Sequence, residues 1–571
     1  MFLGLLLFWL STIGYLLFFQ KKTKVPYELL LPIVFSLNGI IMFLSGILNM
    51  MKEFSILMCV GGIILFFCSI IKKEFNIKKM LNVKFLVFLL AFIYITIICS
   101  NMHLLHYDNF SHWGLIIKNM FLNNRLPNFE DDVIMFQNYQ PGSACFIYYF
   151  GLLVGKTEAC MIIAQNYLII SYLFSILVFV SSKIKKNENI IYIVFVIMYL
   201  FILTANIMFN DLLVDTLIAV MLICSFAILI FFKNDLKKAF IYNLPILIYL
   251  FLVKNTGIVL VGFSCLVLVY IGYRNKDLKK GFLYALLSGI ISVAFFYIWS
   301  KHVTYVFGEV SLYSKHSLSI QNIFTELRNK GLSRIMEFCN IYLKHFLNLF
   351  DNLSNKCMLI INVFLIIMIV INRNNRKKLF NCMIVVNVIY LLYYIILGVM
   401  YLLSMPWVEA VKLASFDRYM LTIIIVIVAL VYIYLFDYMK NRIVVISYLV
   451  ILLFLSFVVK QSFNDYKMLL GNFNYKDTYA NHFDEILGTD MFSSEDDTFY
   501  FIYAPISCKG DEGYLYYLSK YKLNTQNVRV VTKVKDIYID GNIVVFDEDE
   551  EIKKFIKDNN LEDKDNVYRI A

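Results

Sequence analysis

Long apolar runs constrain the fold of this chain more than any other feature of its sequence. A helix needs about 20 mostly apolar residues to cross a membrane core of roughly 30 Å. Fourteen runs approach or exceed that length. They lie near residues 2–19, 27–50, 54–71, 84–100, 159–182, 189–207, 212–232, 239–253, 256–273, 281–300, 356–372, 379–403, 419–438 and 443–459.

These runs predict an all-α polytopic membrane protein with about 14 transmembrane helices. The composition agrees, since 60% of the residues are hydrophobic and only 16% are charged. Soluble domains carry about 25% charged residues. A soluble globular enzyme is therefore excluded.

Lysine and arginine cluster in every second connection between the runs, as at 21–24, 72–79 and 183–186. Short loops rich in these residues lie on the cytoplasmic side of a membrane. The other connections, among them the large loops 101–158 and 301–355, are then outside. We predict a multi-pass protein of the plasma membrane with both termini outside. This orientation requires the short apolar piece 141–154 not to cross, so it is predicted to be a re-entrant or surface-lying helix.

The chain divides by charge into a membrane domain, 1–460, and a tail, 461–571. The tail holds 13 basic and 21 acidic residues, a net charge of −8, which leaves 39 basic and 20 acidic residues, +19, for the membrane domain. Short β-type runs at 499–503, 528–531 and 543–546 alternate with helical patterns at 512–521 and 550–559. The tail is therefore predicted to be a small extracytoplasmic α/β domain with an accessory role. No nucleic-acid partner is implied by the total of +11.

Ionisable residues are costly at membrane depth, so those near helix ends are the informative ones. Asp108 follows directly after a helix that ends near Ser100 and has apolar and aromatic neighbours. Such surroundings can raise the pKa of a carboxylate and suit it to act as a general base. The alternative is a solvated aspartate whose side chain caps a helix over 111–121.

Three histidines surround this aspartate: His103, His106 and His112. Together with Asp108 they have a composition that can bind a divalent metal. Their spacing matches no strong zinc signature, and we interpret them as interfacial histidines. No metal or other cofactor is predicted, and His112 is kept as a candidate for substrate binding.

Two further clusters lie at predicted outer helix ends. Asp211 and Asp215 are four residues apart, which places both on one face of a helix, either for a function or as a polar helix end. Lys254 is the first residue of the segment 254–257, which ends with Gly257 and interrupts an otherwise apolar stretch. Its side chain either reaches water along the helix surface or grips a phosphate oxygen with help from free backbone N–H groups.

Arg418 and Tyr419 precede the helix that begins at Met420. A guanidinium fork suits phosphate, although an ion pair between Arg418 and the adjacent Asp417 is an equal alternative. The segment 139–142 contains Pro141 and Gly142 and predicts a turn before the short apolar piece. No phosphate-binding loop or dinucleotide fingerprint occurs in the sequence. Any chemistry must then use a substrate delivered through the membrane.

The order of these clusters resembles the GT-C superfamily of integral-membrane glycosyltransferases, particularly the bacterial branch that uses polyprenyl-phosphate-linked sugars. Members carry an acidic residue early in the first large outer loop, as Asp108 does here. They also have a Pro-containing turn, a later Asp at an outer helix end, a Lys-x-Thr/Ser-Gly element and an Arg-Tyr pair. Asn109 stands where many members have a second acid.

The resemblance implies transfer of a sugar from a polyprenyl-phosphate donor to a hydroxyl acceptor on a cell-envelope polymer or glycolipid, with inversion. Asp108 would be the general base, while Lys254 and Arg418 would bind the phosphate. Asp211 or Asp215 would orient the acceptor or the lysine, and His112 and Tyr419 would contact substrate. A helix over about 323–350 would form a wall of the lipid entry.

Two other functions stay open at this point. A polymerase or ligase of lipid-linked oligosaccharides would use arginine pairs in its large loop, for which Arg328 and Arg334 are candidates. A lipid or solute transporter would place its ionisable groups near the bilayer midplane. Because Asp108, Lys254 and Arg418 all fall at predicted helix ends, the sequence favours an enzyme.

Overall fold

The structure of the chain is a computed structural model. It describes residues 1–72, 82–180, 189–205, 209–308, 320–438, 442–459, 467–471, 473–476, 478–487, 500–503, 512–531, 542–546, 554, 557 and 567–570. Several predicted features lie outside this set: the basic cluster at 183–186, most of the cluster at 72–79, and most of the helix predicted at 550–559.

The membrane domain is built from α-helices with short connections. Eighteen helices are described up to residue 459, numbered here in chain order: α1 Phe2–Thr23, α2 Tyr27–Ile47, α3 Met51–Ile71, α4 Val83–Cys99, α5 Gly114–Asn123, α6 Gly142–Val154, α7 Glu158–Phe174, α8 Asn189–Ala205, α9 Asp215–Phe231, α10 Leu236–Val253, α11 Gly257–Arg274, α12 Leu278–Phe307, α13 Ile320–Leu347, α14 Leu353–Ile371, α15 Arg376–Ser404, α16 Trp407–Val411, α17 Phe416–Tyr438 and α18 Arg442–Val459.

Eleven helical segments of the described chain are long and apolar enough to cross a membrane. Three further predicted runs form shorter apolar helices, described over Val83–Cys99, Ile190–Leu203 and Asp215–Phe231. The prediction of an all-α multi-pass membrane protein is thus confirmed by the length and composition of the helices. All fourteen predicted runs coincide with a helix.

The short helix α6, which was predicted to be re-entrant or surface-lying, is buried against other helices of the protein. It packs against α1, α2 and α7, and nearly all of its side chains are buried. Its 13 residues span only about 20 Å, which is too short to cross a membrane. At Gly142 an added Cβ would meet the backbone oxygen of Leu252 at 2.5 Å, so only glycine permits this close approach to α10.

The tail contributes two helices and four short strands to the described residues. The helices are α19 Tyr479–Leu487 and α20 Glu512–Leu523, and the strands are β1 Tyr500–Tyr503, β2 Val528–Val531, β3 Asn542–Phe546 and β4 Val567–Ile570. The strands pair in the order β2-β1-β3-β4, and all three pairings are parallel. Helix α20 packs onto a π-helical turn, Asn109–Trp113, in the first large loop.

Candidate functional site

A cavity of about 330 Å³ lies where loop 101–158 meets the ends of several helices. Its wall is drawn from distant parts of the chain: the loop residues around Asp108, the start of α9, the break between α10 and α11, and the start of α17. Six of the seven predicted site residues line it. They are Asp108, His112, Asp215, Lys254, Arg418 and Tyr419.

The hairpin of α9 and α10 explains why Asp215 meets Lys254. Asp215 is the first residue of α9, and Lys254 caps the end of α10 after the chain has returned. The two helices pack together, which brings the start of one beside the end of the other. Lys254 has an extended backbone, with φ −154° and ψ 141°, and α11 begins three residues later at Gly257.

The break after α10 is a tight turn. The N–H of Gly257 donates to Lys254 O at 2.9 Å, and the N–H of Ile258 donates to Asn255 O at 3.3 Å. These two N–H groups are therefore satisfied within the turn, and of the two alternatives for Lys254 neither is decided by them. An added Cβ at Gly257 would lie 2.7 Å from Leu250 O, so this turn requires glycine. The cation at this break is the Lys254 side chain.

Four charged side chains in the cavity wall form one network, called here the cavity cluster: Asp108, Asp215, Lys254 and Arg418. Arg418 Nη1 donates to Asp108 Oδ2 at 3.0 Å, and Arg418 Nε lies 3.5 Å from Asp215 Oδ2. Lys254 Nζ donates to Asp215 Oδ1 at 2.5 Å. Two carboxylates and two cations balance to zero formal charge, which lets all four be buried together.

Asp108 departs from both of its predicted environments. It is buried, with 6% of its surface exposed, and its side chain makes no helix-capping hydrogen bond, so it is not a solvated capping residue. Burial acts to raise the pKa of Asp108, but His112, Arg418 and His106 outweigh burial and lower that pKa below its usual value. The prediction of a raised pKa was wrong, because three positive or polarisable groups surround the carboxylate. Asp108 is ionised at neutral pH.

Arg418 faces the cavity and not its sequence neighbour. Asp417 is exposed, and the described ion pairs of Arg418 go to Asp108 and Asp215. The alternative of an Arg418–Asp417 pair is therefore wrong. Arg418 Nε is buried 3.5 Å from Asp215 Oδ2 and makes no hydrogen bond to the described residues, so one donor of the guanidinium is left unsatisfied.

Tyr419 places an aromatic ring beside both cations. Lys254 Nζ lies 4.9 Å from the ring centroid and Arg418 Cζ lies 5.2 Å from it. The Nη2 of Arg418 also donates to the Tyr419 hydroxyl at 3.4 Å. A ring in this position attracts both cations and restricts where they can move.

His112 and Tyr139 form another part of the cavity wall, and their ring centroids are 4.4 Å apart. His112 Nδ1 shares a hydrogen bond with Ser111 Oγ at 2.7 Å. Burial, helped by the Asp108 charge, raises the pKa of Tyr107 to about 12, so this cavity residue stays a neutral hydrogen-bond donor. Burial lowers the pKa of His106, and the nearby Asp108 charge opposes that shift.

The structure separates the two aspartates that the sequence left as alternatives. Asp211 precedes α9 in a turn, where its Oδ1 accepts a hydrogen bond from Leu213 N at 2.9 Å. It is buried and does not line the cavity, and the two residues do not share a helix face. The same segment is fixed to the Asp108 loop, since Leu212 N donates to Asn109 Oδ1 at 2.9 Å.

Other predicted or unpredicted residues can now be placed. Arg334 stacks on Trp407, and neither it nor Arg328 lines the cavity. Among the cavity residues that sequence reasoning missed are Tyr393, Glu409 and Tyr517. The signal for Glu409 was an acid in the short segment between two apolar runs. The signal for Tyr517 was the cluster of tyrosines in a tail otherwise rich in acids.

Among the residues that the structure describes, no group of three or more His, Cys, Asp and Glu residues is placed so that it could hold a metal ion. Comparison of the chain with protein-family models, curated proteins and solved structures gives no match. The function is therefore argued from the cavity itself.

Proposed function

We propose that the protein is an inverting membrane glycosyltransferase that moves a sugar from a polyprenyl-phosphate donor to a hydroxyl acceptor outside the membrane. The observation that carries this proposal is the cavity cluster. One ionised carboxylate, Asp108, lies in the same cavity as two cations, Lys254 and Arg418. The cations suit a phosphate, and the carboxylate suits a hydroxyl proton.

The charges of the cavity cluster match the charge changes of this reaction. The acceptor oxygen forms a bond to the anomeric carbon while the bond from that carbon to the phosphate oxygen breaks. The bonding pair leaves with the phosphate, which gains one negative charge, and the acceptor proton goes to Asp108, which loses one. Arg418 contacts Asp108 at 3.0 Å, so it is released from that carboxylate as the phosphate becomes more negative. The total charge of the site is unchanged throughout.

Asp215 has a different role in this proposal. It contacts Lys254 at 2.5 Å and Arg418 at 3.5 Å, so it holds both cations at the end of the cavity. A positioned cation needs no reorganisation when the leaving phosphate gains charge. Asp108 acts as base on the face opposite the leaving group, which gives inversion at the anomeric carbon.

The donor's prenyl chain requires an apolar approach, and α13 and α15 provide one. Tyr342 OH donates to Tyr394 O at 2.6 Å, which joins the two helices. Leu397 and Met400 of α15 line the cavity, while Leu332, Met336 and Leu343 of α13 are exposed. We infer that the lipid lies along this surface with its phosphate at Lys254 and Arg418. The two helices thus have the roles of an interfacial wall and a lipid contact.

The proposal includes the orientation of the chain: fourteen crossings in the plasma membrane, both termini outside, and residues 461–571 as an extracytoplasmic α/β domain. Cys508 lies outside the described residues but offers a label on the tail. A membrane-impermeant thiol reagent added to intact cells should modify Cys508 and spare a cysteine introduced by Lys185→Cys. The reverse pattern would place the cavity on the cytoplasmic side and exclude an outer reaction.

Transfer in proteoliposomes tests the activity. Radiolabelled polyprenyl-phosphate hexoses, and nucleotide-linked hexoses as the comparison donor, are offered together with alkyl glycosides as hydroxyl acceptors. We expect transfer from the lipid-linked donor only. Lys254→Ala should weaken both donor binding and turnover, because its charge contacts the phosphate before and during the reaction. Lys412→Ala is the matched control, since Lys412 is exposed and outside the cavity wall.

Two outcomes would overturn the proposal. Movement of the labelled lipid across the bilayer with no glycoside formed would identify a transporter. Equal transfer by Lys254→Ala and Lys412→Ala, in protein shown to be folded, would remove the cavity cluster from the reaction.

A further inference from the structure

The tail helix α20 is seated on the loop that carries Asp108. Tyr514 OH donates to Leu105 O at 3.0 Å. The ring of Tyr521 lies 5.2 Å from that of Phe110, which is part of the π-helical turn directly after Asp108. The tail therefore packs against the backbone that positions the proposed base.

A group of buried and half-buried ionisable side chains holds α20 in this place. Called here the docking cluster, it consists of His103, Glu158, Asp484 and Lys522. Lys522 Nζ donates to Asp484 Oδ1 at 2.5 Å and to Glu158 Oε1 at 3.3 Å. His103 Nδ1 lies 3.4 Å from Glu158 Oε2. These contacts join the tail to the first outer loop and to the start of α7.

A second lysine, Lys118, also contacts α20. Lys118 of α5 is buried and donates to the backbone oxygens of Tyr521 and Lys522, at 2.6 and 3.1 Å. It thus satisfies carbonyls at the end of α20 that have no partner within the helix. The position of α20 is fixed by side chains on both sides of the loop.

One residue of α20 reaches the cavity. Tyr517 lines it, whereas the adjacent Tyr516 does not. The apolar part of the wall, with Leu397 and Met400, belongs to a helix that can span the membrane. Tyr517 comes instead from outside the spanning segments, which is the side open to an acceptor from water.

We propose that Tyr517 is an acceptor-positioning residue, and that the acceptor is the hydroxyl of a sugar ring packed between α20 and the segment 138–140. This inference rests on the proposed function and names its acceptor class. A tyrosine ring packs against the C–H face of a sugar, and its hydroxyl can donate or accept a hydrogen bond. The cavity wall is rich in such surfaces, with Tyr107, Trp113, Phe136, Tyr139 and Tyr419 in addition to Tyr517.

The tail is then more than an accessory unit. Its helix α20 supplies part of the cavity wall through Tyr517 and is held in that position by the docking cluster. The acceptor side of the reaction depends on a segment more than 400 positions from Asp108 along the chain, as the Tyr514–Leu105 bond, 409 positions apart, illustrates.

Three variants of the full-length protein test this role: Tyr517→Ala, Tyr517→Phe and, as matched control, Tyr516→Ala. The probes are a polyprenyl-phosphate hexose as donor and alkyl glycosides as acceptors, with transfer to water measured in parallel. We expect Tyr517→Ala to raise the KM for the glycoside about tenfold, the order of one or two lost contacts. The KM for the donor and the rate of transfer to water should stay near wild type.

Tyr517→Phe separates the ring from the hydroxyl and keeps the packing of α20. An acceptor KM between those of wild type and Tyr517→Ala supports a contact through both. The inference alone would be overturned if Tyr517→Ala and Tyr516→Ala had the same acceptor KM. This holds provided that wild type transfers sugar and Lys254→Ala does not. Wild-type protein that transfers no sugar from the lipid-linked donor would overturn it together with the proposed function.

Discussion

Two groups of charged side chains include residues of loop 101–158, but of the two only the cavity cluster lines the cavity. In the cavity cluster the side chains of Arg418 and Lys254 are 14% and 15% exposed. In the docking cluster Lys522 is 8% exposed and Glu158 is 12% exposed. The degree of burial is similar, so burial does not separate the two groups.

The two clusters differ in whether their hydrogen-bond donors and acceptors are all satisfied by other groups of the protein. In the docking cluster, Glu158 receives contacts from Lys522, His103 and the Leu104 N–H, all within the protein. In the cavity cluster, Arg418 Nε is buried 3.5 Å from Asp215 Oδ2 without a hydrogen-bond partner among the described residues, and the Arg418 residue lines the cavity. Charges satisfied within the protein hold segments together, whereas charges with spare capacity beside a cavity indicate a ligand.

The strongest effect on the docking cluster is expected from Lys522→Met. The substitution leaves Glu158 and Asp484 buried without their cation, and breaking a buried ion pair costs about 3 to 5 kcal/mol. Hydrogen exchange at the amides of α20, followed by mass spectrometry, should speed up accordingly. Lys238→Met is the control, because Lys238 pairs with Asp235 at an exposed surface where such pairs contribute little. Equal exchange in both variants would remove the docking role.

Arg418→Lys should act on the cavity cluster and spare the docking cluster. A lysine keeps the charge but cannot contact Asp108 and a phosphate in the planar geometry of a guanidinium. Loss of one preorganised donor slows a reaction by about 10² to 10³-fold, which the transfer assay measures as kcat. Arg334→Lys serves as control, since Arg334 is exposed on α13. Unchanged kcat in folded Arg418→Lys would contradict the phosphate role.

A pH dependence of tail docking is expected through Lys118. Burial and the nearby Lys522 charge lower the pKa of Lys118 from 10.5 to about 7, against the opposing charges of Glu158 and Asp484. The undocked lysine binds its proton up to its ordinary pKa, so between these values the undocked state holds more protons. Docking must therefore strengthen as pH rises from about 7 toward 10.5.

Exchange of α20 amides at several pH values, corrected for intrinsic rates, measures this dependence. Protection in wild type should rise with pH across that window, and Lys118→Met should flatten the rise. A fall in protection over the same window, or an equal rise in both proteins, would contradict the assignment to Lys118.

Helices of the membrane domain could be predicted from the sequence because the bilayer itself sets their length and polarity. The sequence left positions open where packing within the protein decides. The short helix 142–154 is buried because Gly142 permits contact with α10, and nothing local in the sequence distinguishes that contact from a surface position. The same limit applies to α20, whose seat on the first loop depends on partners hundreds of residues away.

The residues of the site could be predicted from the sequence, but the ion pairs between them could not. Charged residues at helix ends are conspicuous in an apolar chain, so Asp108, Lys254 and Arg418 could be selected. The pKa of Asp108 is lowered by His112, Arg418 and His106, of which Arg418 lies 310 positions away, so the local apolar context alone pointed in the wrong direction. The choice between Asp211 and Asp215 required the start of α9 to within a few residues, which sequence patterns do not give.

The most direct test replaces one aspartate in each cluster, Asp108→Asn and Asp484→Asn, and measures sugar transfer at saturating acceptor together with exchange at α20. Both substitutions keep side-chain shape and remove one buried charge. We predict that Asp108→Asn lowers transfer by about 10² to 10⁴-fold, the usual cost of losing a general base, with α20 still protected. Asp484→Asn should loosen α20 and retain most of the transfer. Near-normal transfer by folded Asp108→Asn would contradict the account.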